Sequence, residues 1–306
     1  MPNGNLAVSA ARAIASAIRP LISDTAQIPE LGVITSYKGN GHTAHAIDLK
    51  AEEILFEALK RADYDGTVYS EESGLVRMGN QPRIIICDPY CNTTLTFRGF
   101  RESAVAVYEF TREGNFTAGA IADLQIPRIV WAEASSGGAF FTPTDRSGDS
   151  GAEEIRDAAR ARCSEVKRVQ DAFITISLLK RNRRESLPTT LLSEASMVTT
   201  IDGAIVAARL ALGEIDGFVD ARIGQPSYEA IAYFLVYKAG GIVTDSTGAP
   251  VDFAAIVTAL WEGEVTRQTI IAAGNRLLHD EILGKVSDDL LSLGQSIVVS
   301  SPRRKH

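Results

Sequence analysis

Ile84-Ile85-Ile86-Cys87 is a continuous apolar run that meets Asp88-Pro89 with no polar spacer. A half-exposed strand alternates apolar and polar side chains, whereas an unbroken apolar strand is covered on both faces. The run therefore reads as a buried strand. Pro89 has no N–H to give a ladder, so the strand is expected to stop there, with Asp88 at its carboxyl end. Loops at strand ends are where α/β folds place ligands, which makes Asp88 a first candidate site residue.

The flanking segments supply the rest of the fold. Leu6, Ile14, Ile18 and Leu21 recur at helical spacing, and Pro20 is expected to end that helix. The same segment is Ala-rich, with Arg12, Arg19 and no acid before Asp24, so it also resembles an organelle transit peptide. The helix is the preferred reading. A second helix is expected over 44–61 on the stripe Ile47, Ala51, Ile54, Leu55, Ala58 and Leu59. A short strand, Thr67 to Ser70, runs into Glu71-Glu72-Ser73-Gly74. Alternation returns over 103–108, 118–122 and 129–132, with Gly114-Asn115 as a hairpin signal. The first half is therefore expected to be α+β.

Residues 145–162 are polar and read as a surface excursion, which places a domain boundary near Cys163. The expected division is 1–163, an α+β domain carrying most of the candidate ligands, and 164–306, an α/β domain with substrate-facing loops. Strands at 172–176, 217–220, 242–245 and 270–273 alternate with helices at 204–212, 228–239 and 280–286, so a mostly parallel sheet is expected. Asp202 is placed as the N-cap of the first of these helices and Gly213 as its stop. The basic run at 180–184 reads as a solvated face and the last residues as a frayed tail.

Composition narrows the function. The 306 residues carry 31 Lys and Arg against 38 Asp and Glu, a net charge of −7, with 45% hydrophobic residues. That is a globular composition, and its acidity argues against general binding to nucleic acid or to an anionic membrane. Cys87, Cys91 and Cys163 form neither a disulfide framework nor a CxxC zinc pattern, which suits a reducing, cytoplasmic setting. No run of eighteen apolar residues occurs, so no membrane span is expected.

Carboxylates recur at element ends: Glu71 and Glu72 after one strand, Asp88 after a second, Asp220 at the end of a third, Glu229 opening a helix. Each alone is a cap or a surface charge. Convergent acids need a neutralising cation, and hard oxygen donors suit Mg²⁺ or Mn²⁺. Ser70-Glu71-Glu72-Ser73, then Asp88-Pro89-Tyr90-Cys91-Asn92-Thr93-Thr94, then Tyr228-Glu229-Ala230-Ile231-Ala232 with Ala239-Gly240-Gly241, occur in that order. The series resembles the inositol monophosphatase superfamily, with its G-E-E-S, D-P-[IL]-D-G-T-T and W-D-x-A-A-G…E-A-G-G patterns. Lys38 and Asp48 fall where that family has a Lys followed by V-T-x-x-D, Gly137-Gly138-Ala139 resembles its G-x-G-A segment, and Val219-Asp220-Ala221-Arg222 resembles its V-D-x-R variant.

The resemblance implies an α/β fold, a layered αβαβα sandwich, and metal-assisted hydrolysis of a small sugar, inositol or nucleotide-type phosphate, in a homodimer. It implies Glu71, Asp88 and the Tyr90 carbonyl as ligands of one Mg²⁺ or Mn²⁺, and Asp88, Cys91 and Glu229 as ligands of a second. Thr93, with Glu71, is implied to orient the attacking water, while Lys38, Asn92, Thr93, Thr94, Asp220 and Arg222 contact the substrate. Three departures stand out: Cys91 replaces the second Asp of D-P-x-D, Glu229 replaces the Asp of W-D, and the G-S pair is absent near Thr200-Ile201-Asp202. A thiol is mostly protonated at neutral pH and is a poor Mg²⁺ ligand, so the second metal site is expected to be weakened. The alternative reading is a repurposed member that binds a phosphorylated ligand or a partner, or runs another reaction, without ordinary hydrolysis. Cys91 lacks a His partner and reads as a structural thiol rather than a nucleophile. His42 and His45 read as packing or surface residues, with a phosphate contact as the competing assignment. Tyr90 either lines the site mouth or packs.

Overall fold

A computed structural model describes residues 5–24, 28–37, 43–143, 158–177 and 188–297. Lys38, His42, the excursion over 145–157, the basic run at 180–184 and the C-terminal tail lie outside them.

Two sheets dominate. The first runs β10-β9-β8-β7-β6-β5-β3-β4, from β3 (Thr67–Ser70), β4 (Gly74–Arg77), β5 (Arg83–Cys91), β6 (Ala104–Thr111), β7 (Phe116–Asp123), β8 (Arg128–Glu133), β9 (Ala139–Pro143) and β10 (Ala159–Arg160). The second runs β12-β11-β13-β15-β14, from β11 (Phe173–Ile176), β12 (Met197–Thr199), β13 (Gly217–Pro226), β14 (Ile242–Thr244) and β15 (Arg267–Ala273). A short antiparallel pair, β1 (Ile34–Tyr37) with β2 (Thr43–His45), stands apart from both. The helices that matter here are α1 (Leu6–Ser23), α2 (Ala46–Arg61), α3 (Thr93–Thr96), α4 (Ala204–Ala211), α5 (Ser227–Ala230), α6 (Phe234–Lys238), α7 (Phe253–Trp261) and α8 (Arg276–Ile297).

Side-chain alternation along the strands sorts these elements into layers. Ile85 and Cys87 of β5 pack with Ile14 and Ile18 of α1 and with Ile47 and Leu55 of α2. Ile84 and Ile86 point the other way, into a cluster with Ile205 and Leu210 of α4, Leu235 of α6 and Ile256 of α7. Phe218, Ile270 and Ala272 of the second sheet close that cluster from its far side. Val219 and Ile271 face outward and meet Leu278, Ile282 and Val286 of α8. The order is therefore helices, sheet, helices, sheet, helix, and β5 is covered on both faces as its unbroken apolar run demands. The middle cluster draws residues from both sides of Cys163.

Several expectations are corrected. Pro20 lies inside α1, which continues to Ser23 and keeps a bond from the Asp24 N–H to the Pro20 carbonyl. Leu21 and Ile22 pack against the α1–α2 cluster, which holds the last turn despite the lost N–H. α1 is also long and apolar enough to cross a membrane, at a mean hydropathy of 1.3, although Arg12 and Arg19 interrupt its apolar residues. Its Ala7, Ala10, Ala11, Ile14, Ala15 and Ile18 are buried against the sheet and α2, and Arg19 Nη2 donates to the Asp123 carbonyl at 2.6 Å. The second sheet is mixed rather than mostly parallel: β11 is parallel to β12 and β13, but β15 is antiparallel to β13 and β14. Alternating helices and strands show that crossovers exist, not to which end of the sheet each returns. The helix expected over 228–239 is broken by a 3₁₀ turn at Ile231–Tyr233.

Candidate active site

β3 is parallel to β5 while β6 to β9 are antiparallel, so β3 and β5 end at the same edge. Glu71 leaves β3 there with its N–H bonded to the Cys87 carbonyl at 3.1 Å, next to Asp88. The loop is fixed by α2, because Glu52 accepts from the Ser73 N–H at 3.0 Å and the Ser73 hydroxyl at 2.5 Å.

β5 does not stop at Pro89; it runs on to Cys91. Asp88 is opposite Ala106 and Cys91 opposite Ala104, so three steps on β5 face two on β6. This is a β-bulge, a place where a strand tolerates proline and re-aims its side chains. The bulge decides the site. Tyr90 falls into the α1–α2 cluster and Cys91 into the middle one, so Asp88 and Cys91 share the face already occupied by Ile84 and Ile86. Asn92 follows in the left-handed conformation at φ 66°, a geometry asparagine tolerates. The four-residue α3 then begins.

Thr93 is held from two sides. Its hydroxyl lies 2.7 Å from Asp48 Oδ1 and 3.0 Å from the Tyr90 carbonyl. Asp48 sits in the first turn of α2, where its other oxygen accepts the His45 N–H at 2.7 Å. The hydroxyl of Thr93, expected to orient a water together with Glu71, is thus held by Asp48. That residue was legible in the spacing after Lys38 but carried no role. His45 caps α2 through its backbone and packs its ring against Phe97 at 5.4 Å, and Tyr90 packs, donating its hydroxyl to Thr96 at 3.1 Å.

The acids influence one another. Burial raises the Asp88 carboxyl well above the usual carboxylate range, and the neighbouring Glu71 and Glu229 push it further. Glu229 is raised for the same reasons, burial first and then Glu71, with Arg267 opposing. Asp88 and Glu71 share a hydrogen bond, and the Tyr228 hydroxyl donates to Glu71 Oε1 at 3.3 Å. Crowded buried carboxyls that hold protons against their own chemistry are what a cation would relieve. Glu71, Asp88 and the Tyr90 carbonyl are hard oxygen donors, the chemistry that suits Mg²⁺ or Mn²⁺. Among the described residues no group of three or more His, Cys, Asp or Glu side chains is placed to hold a metal ion.

Cys91 does not fit that chemistry. Burial raises its thiol well above normal, and Asp88 and Glu229 add to the effect. Its sulfur accepts the Ala204 N–H at 3.2 Å, and the thiol hydrogen-bonds to Asp88. Asn92 Nδ2 donates to the Asp202 carbonyl at 2.7 Å. Asp202 is not the helix cap that was expected. Gly203 occupies that position at φ 83°, and the Asp202 carboxylate takes hydrogens from the Gly203 N–H at 2.7 Å, the Ser177 hydroxyl and Gln225 Nε2.

Of the remaining candidates, Asp220 is buried and accepts the Gly224 N–H at 3.2 Å, closing an excursion in β13 where five steps oppose two on β15. Arg222 lies on that excursion, with its side chain outside the described residues. Thr94 is exposed on α3. Asp220 also adds to the charge that Glu229 feels.

Comparisons with known proteins bear on the fold and the family. The extragenic suppressor protein suhB of Bartonella henselae matches in structure with a TM-score of 0.70 and 25% identity, over 92% of this chain and 96% of that one. The inositol-1-monophosphatase of Mesorhizobium japonicum is 29% identical over 236 residues, 75% of this chain and 81% of its own. The Nus factor SuhB of Escherichia coli is 26% identical over 247 residues, 81% of this chain and 86% of its own. The sequence model described as the inositol monophosphatase family matches residues 4–289, nearly the full length, and the chain belongs to that family.

Proposed function

We propose that the chain is a metal-dependent phosphomonoesterase acting on a small sugar, inositol or nucleotide-type phosphate, with an altered second metal site. Members of the family are metal-dependent phosphatases, typically with Mg²⁺. The observation that carries the reading is the Thr93 hydroxyl, 2.7 Å from a buried Asp48 carboxylate and five residues after Asp88 in the sequence. In this reading Glu71, Asp88 and the Tyr90 carbonyl hold the cation, which when bound lowers the pKa of water and neutralises phosphoryl charge. Asp48 takes the Thr93 proton as a hydrogen-bond acceptor. The Thr93 oxygen is then left with a lone pair that fixes a water by accepting its hydrogen. Thr93 and Thr94 open α3, where first-turn N–H groups have no intrahelical partner and suit phosphoryl oxygens. Lys38 and Arg222 are proposed anion contacts, and Asp220 a hydroxyl acceptor.

A homodimer in a reducing, cytoplasmic setting belongs to the same reading; the three free thiols support the reducing part. The competing reading is a member that binds a phosphorylated ligand or partner without turnover. The engaged Cys91 favours it, and one relative bears the name of a Nus factor rather than of a phosphatase.

Phosphate release from a panel of sugar, inositol and nucleotide monophosphates with Mg²⁺ separates the two. Metal-dependent turnover, lost in Asp88→Asn, is expected. Binding without release across the panel, or release that survives Asp88→Asn, would overturn the hydrolytic reading.

A further inference from the structure

The family pattern places a second cation between Asp88, the residue at Cys91 and the residue at Glu229. The structure fills that place in another way. Cys91 and Asn92, adjacent on β5 and its bulge, both reach across to the start of α4. Cys91 Sγ takes the Ala204 N–H at 3.2 Å, and Asn92 Nδ2 gives a hydrogen to the Asp202 carbonyl at 2.7 Å.

Three further facts bear on this clasp. Gly203 lies against the sulfur so closely that a Cβ on it would overlap Cys91 Sγ, and its φ of 83° is itself a glycine geometry. The gap between β5 and α4 is therefore occupied by sulfur and backbone, not by space for a hydrated ion. The Asp202 carboxylate is saturated by Gly203, Ser177 and Gln225, so it is not available to replace the carboxylate that Cys91 lacks. Positive charge for Glu229 comes from within the chain, since Arg267 favours its ionised form while its Nη1 is anchored on the Gly224 carbonyl at 2.8 Å.

We infer that the Cys91–Ala204 and Asn92–Asp202 bonds form a clasp standing where a second cation would bind, so that the chain takes up one divalent cation, held by Glu71, Asp88 and the Tyr90 carbonyl. The residues that depart from the family pattern are not independent losses. Cys91, Asn92 and Asp202-Gly203 contact one another and join the end of β5 to the start of α4. This inference rests on the reading of Glu71 and Asp88 as a cation site, and the experiment keeps the two apart.

The test is the stoichiometry of Mn²⁺, used alone as the probe, by electron paramagnetic resonance of free Mn²⁺ and by titration calorimetry, on the full chain and on Cys91→Asp/Asn92→Gly. One Mn²⁺ per chain is expected for the unmodified protein. Two are expected for the double variant, which restores a carboxylate and releases the clasp. Circular dichroism and a cooperative melt establish that the variant is folded, and the single Cys91→Asp exchange serves if it is not. Two ions in the unmodified protein would overturn the inference and leave the hydrolytic reading intact. One ion in a folded variant would show that the clasp is not what excludes the second. No ion in the unmodified protein would overturn the cation reading itself, whatever the phosphate assay gives.

Discussion

Two clusters meet at the end of β5, and they are built on opposite terms. On one side Glu71, Asp88, Thr93 and Asp48 keep the family's residue types; burial raises the Asp88 and Asp48 carboxyls, and Glu71 and Glu229 push Asp88 further. On the other side Cys91, Asn92, Asp202, Gly203 and Ala204 are joined by neutral or saturated hydrogen bonds. The first cluster crowds raised carboxyls, which under the proposed function a cation would relieve. The second is complete without one. A site under electrostatic stress awaits something from solution, whereas a site whose polar groups are paired has finished its chemistry within the chain.

The comparison breaks first at Asp88. Asp88→Asn is expected to lower metal-dependent phosphate release by at least about a thousandfold, roughly 4 kcal/mol. The same change is expected to raise the melting temperature of the cation-free protein at pH values where Asp88 would be ionised, because Asn carries no repelled buried charge. A fall in both quantities would mean that Asp88 is structural. Thr93→Ala comes next. It should reduce kcat by about 100- to 1000-fold with little change in KM, the signature of a group that acts on the water rather than on substrate binding. A change in KM alone would move Thr93 to the substrate.

Gly203→Ala tests the clasp side. Overlap with Cys91 Sγ and a positive φ together should cost about 3 kcal/mol of folding stability, read by chemical denaturation. An unchanged midpoint would mean that Cys91 and α4 are not tightly apposed.

A pH series sharpens the contrast through linkage. Asp88 and Glu229 have folded pKa values raised above their unfolded ones, so the folded state holds protons that the unfolded state gives up. Their contribution to the stability of the cation-free protein is then fully present at acid pH and declines as pH rises past the ordinary carboxylate range. Saturating Mn²⁺ should flatten that decline, since bound metal favours the ionised acids. A decline that metal does not touch would place the responsible carboxyls elsewhere. The smallest expected effect is at Asn92. Asn92→Ala loses both a left-handed residue and the bond to Asp202, about 1–2 kcal/mol, whereas Asn92→Gly keeps the backbone freedom and should lose less.

The layered fold was legible because it rests on periodicity. The unbroken run at 84–87 demanded cover on both faces, and the stripes of α1 and α2 supplied one of them. Glu71 and Asp88 were legible because each follows an apolar strand run in a fixed order, although β5 runs on past Asp88 to Cys91. What escaped depends on contacts between residues far apart in sequence. Asp48 and Thr93 are 45 residues apart, and only the packing of α2 against β5 makes them partners. Asp202 had the sequence position of an N-cap, but a glycine after it took the cap and left its carboxylate for Ser177 and Gln225. Proline read as a strand end because a regular ladder cannot use it, and a bulge is the irregular ladder that can.

That bulge has a consequence for how the motif tolerates change. Strand side chains keep time in steps of two, and the additional residue between Asp88 and Cys91 is a half-beat that brings both onto one face. The two positions between them, Pro89 and Tyr90, are therefore constrained in number before they are constrained in kind. Exchanging either side chain alters packing on the α1–α2 side. Pairing the same residues in a regular ladder, without the bulge, would turn position 91 and everything after it to the opposite face, toward the α1–α2 hydrophobic layer, where neither a thiol clasp nor a metal-binding carboxylate has a partner.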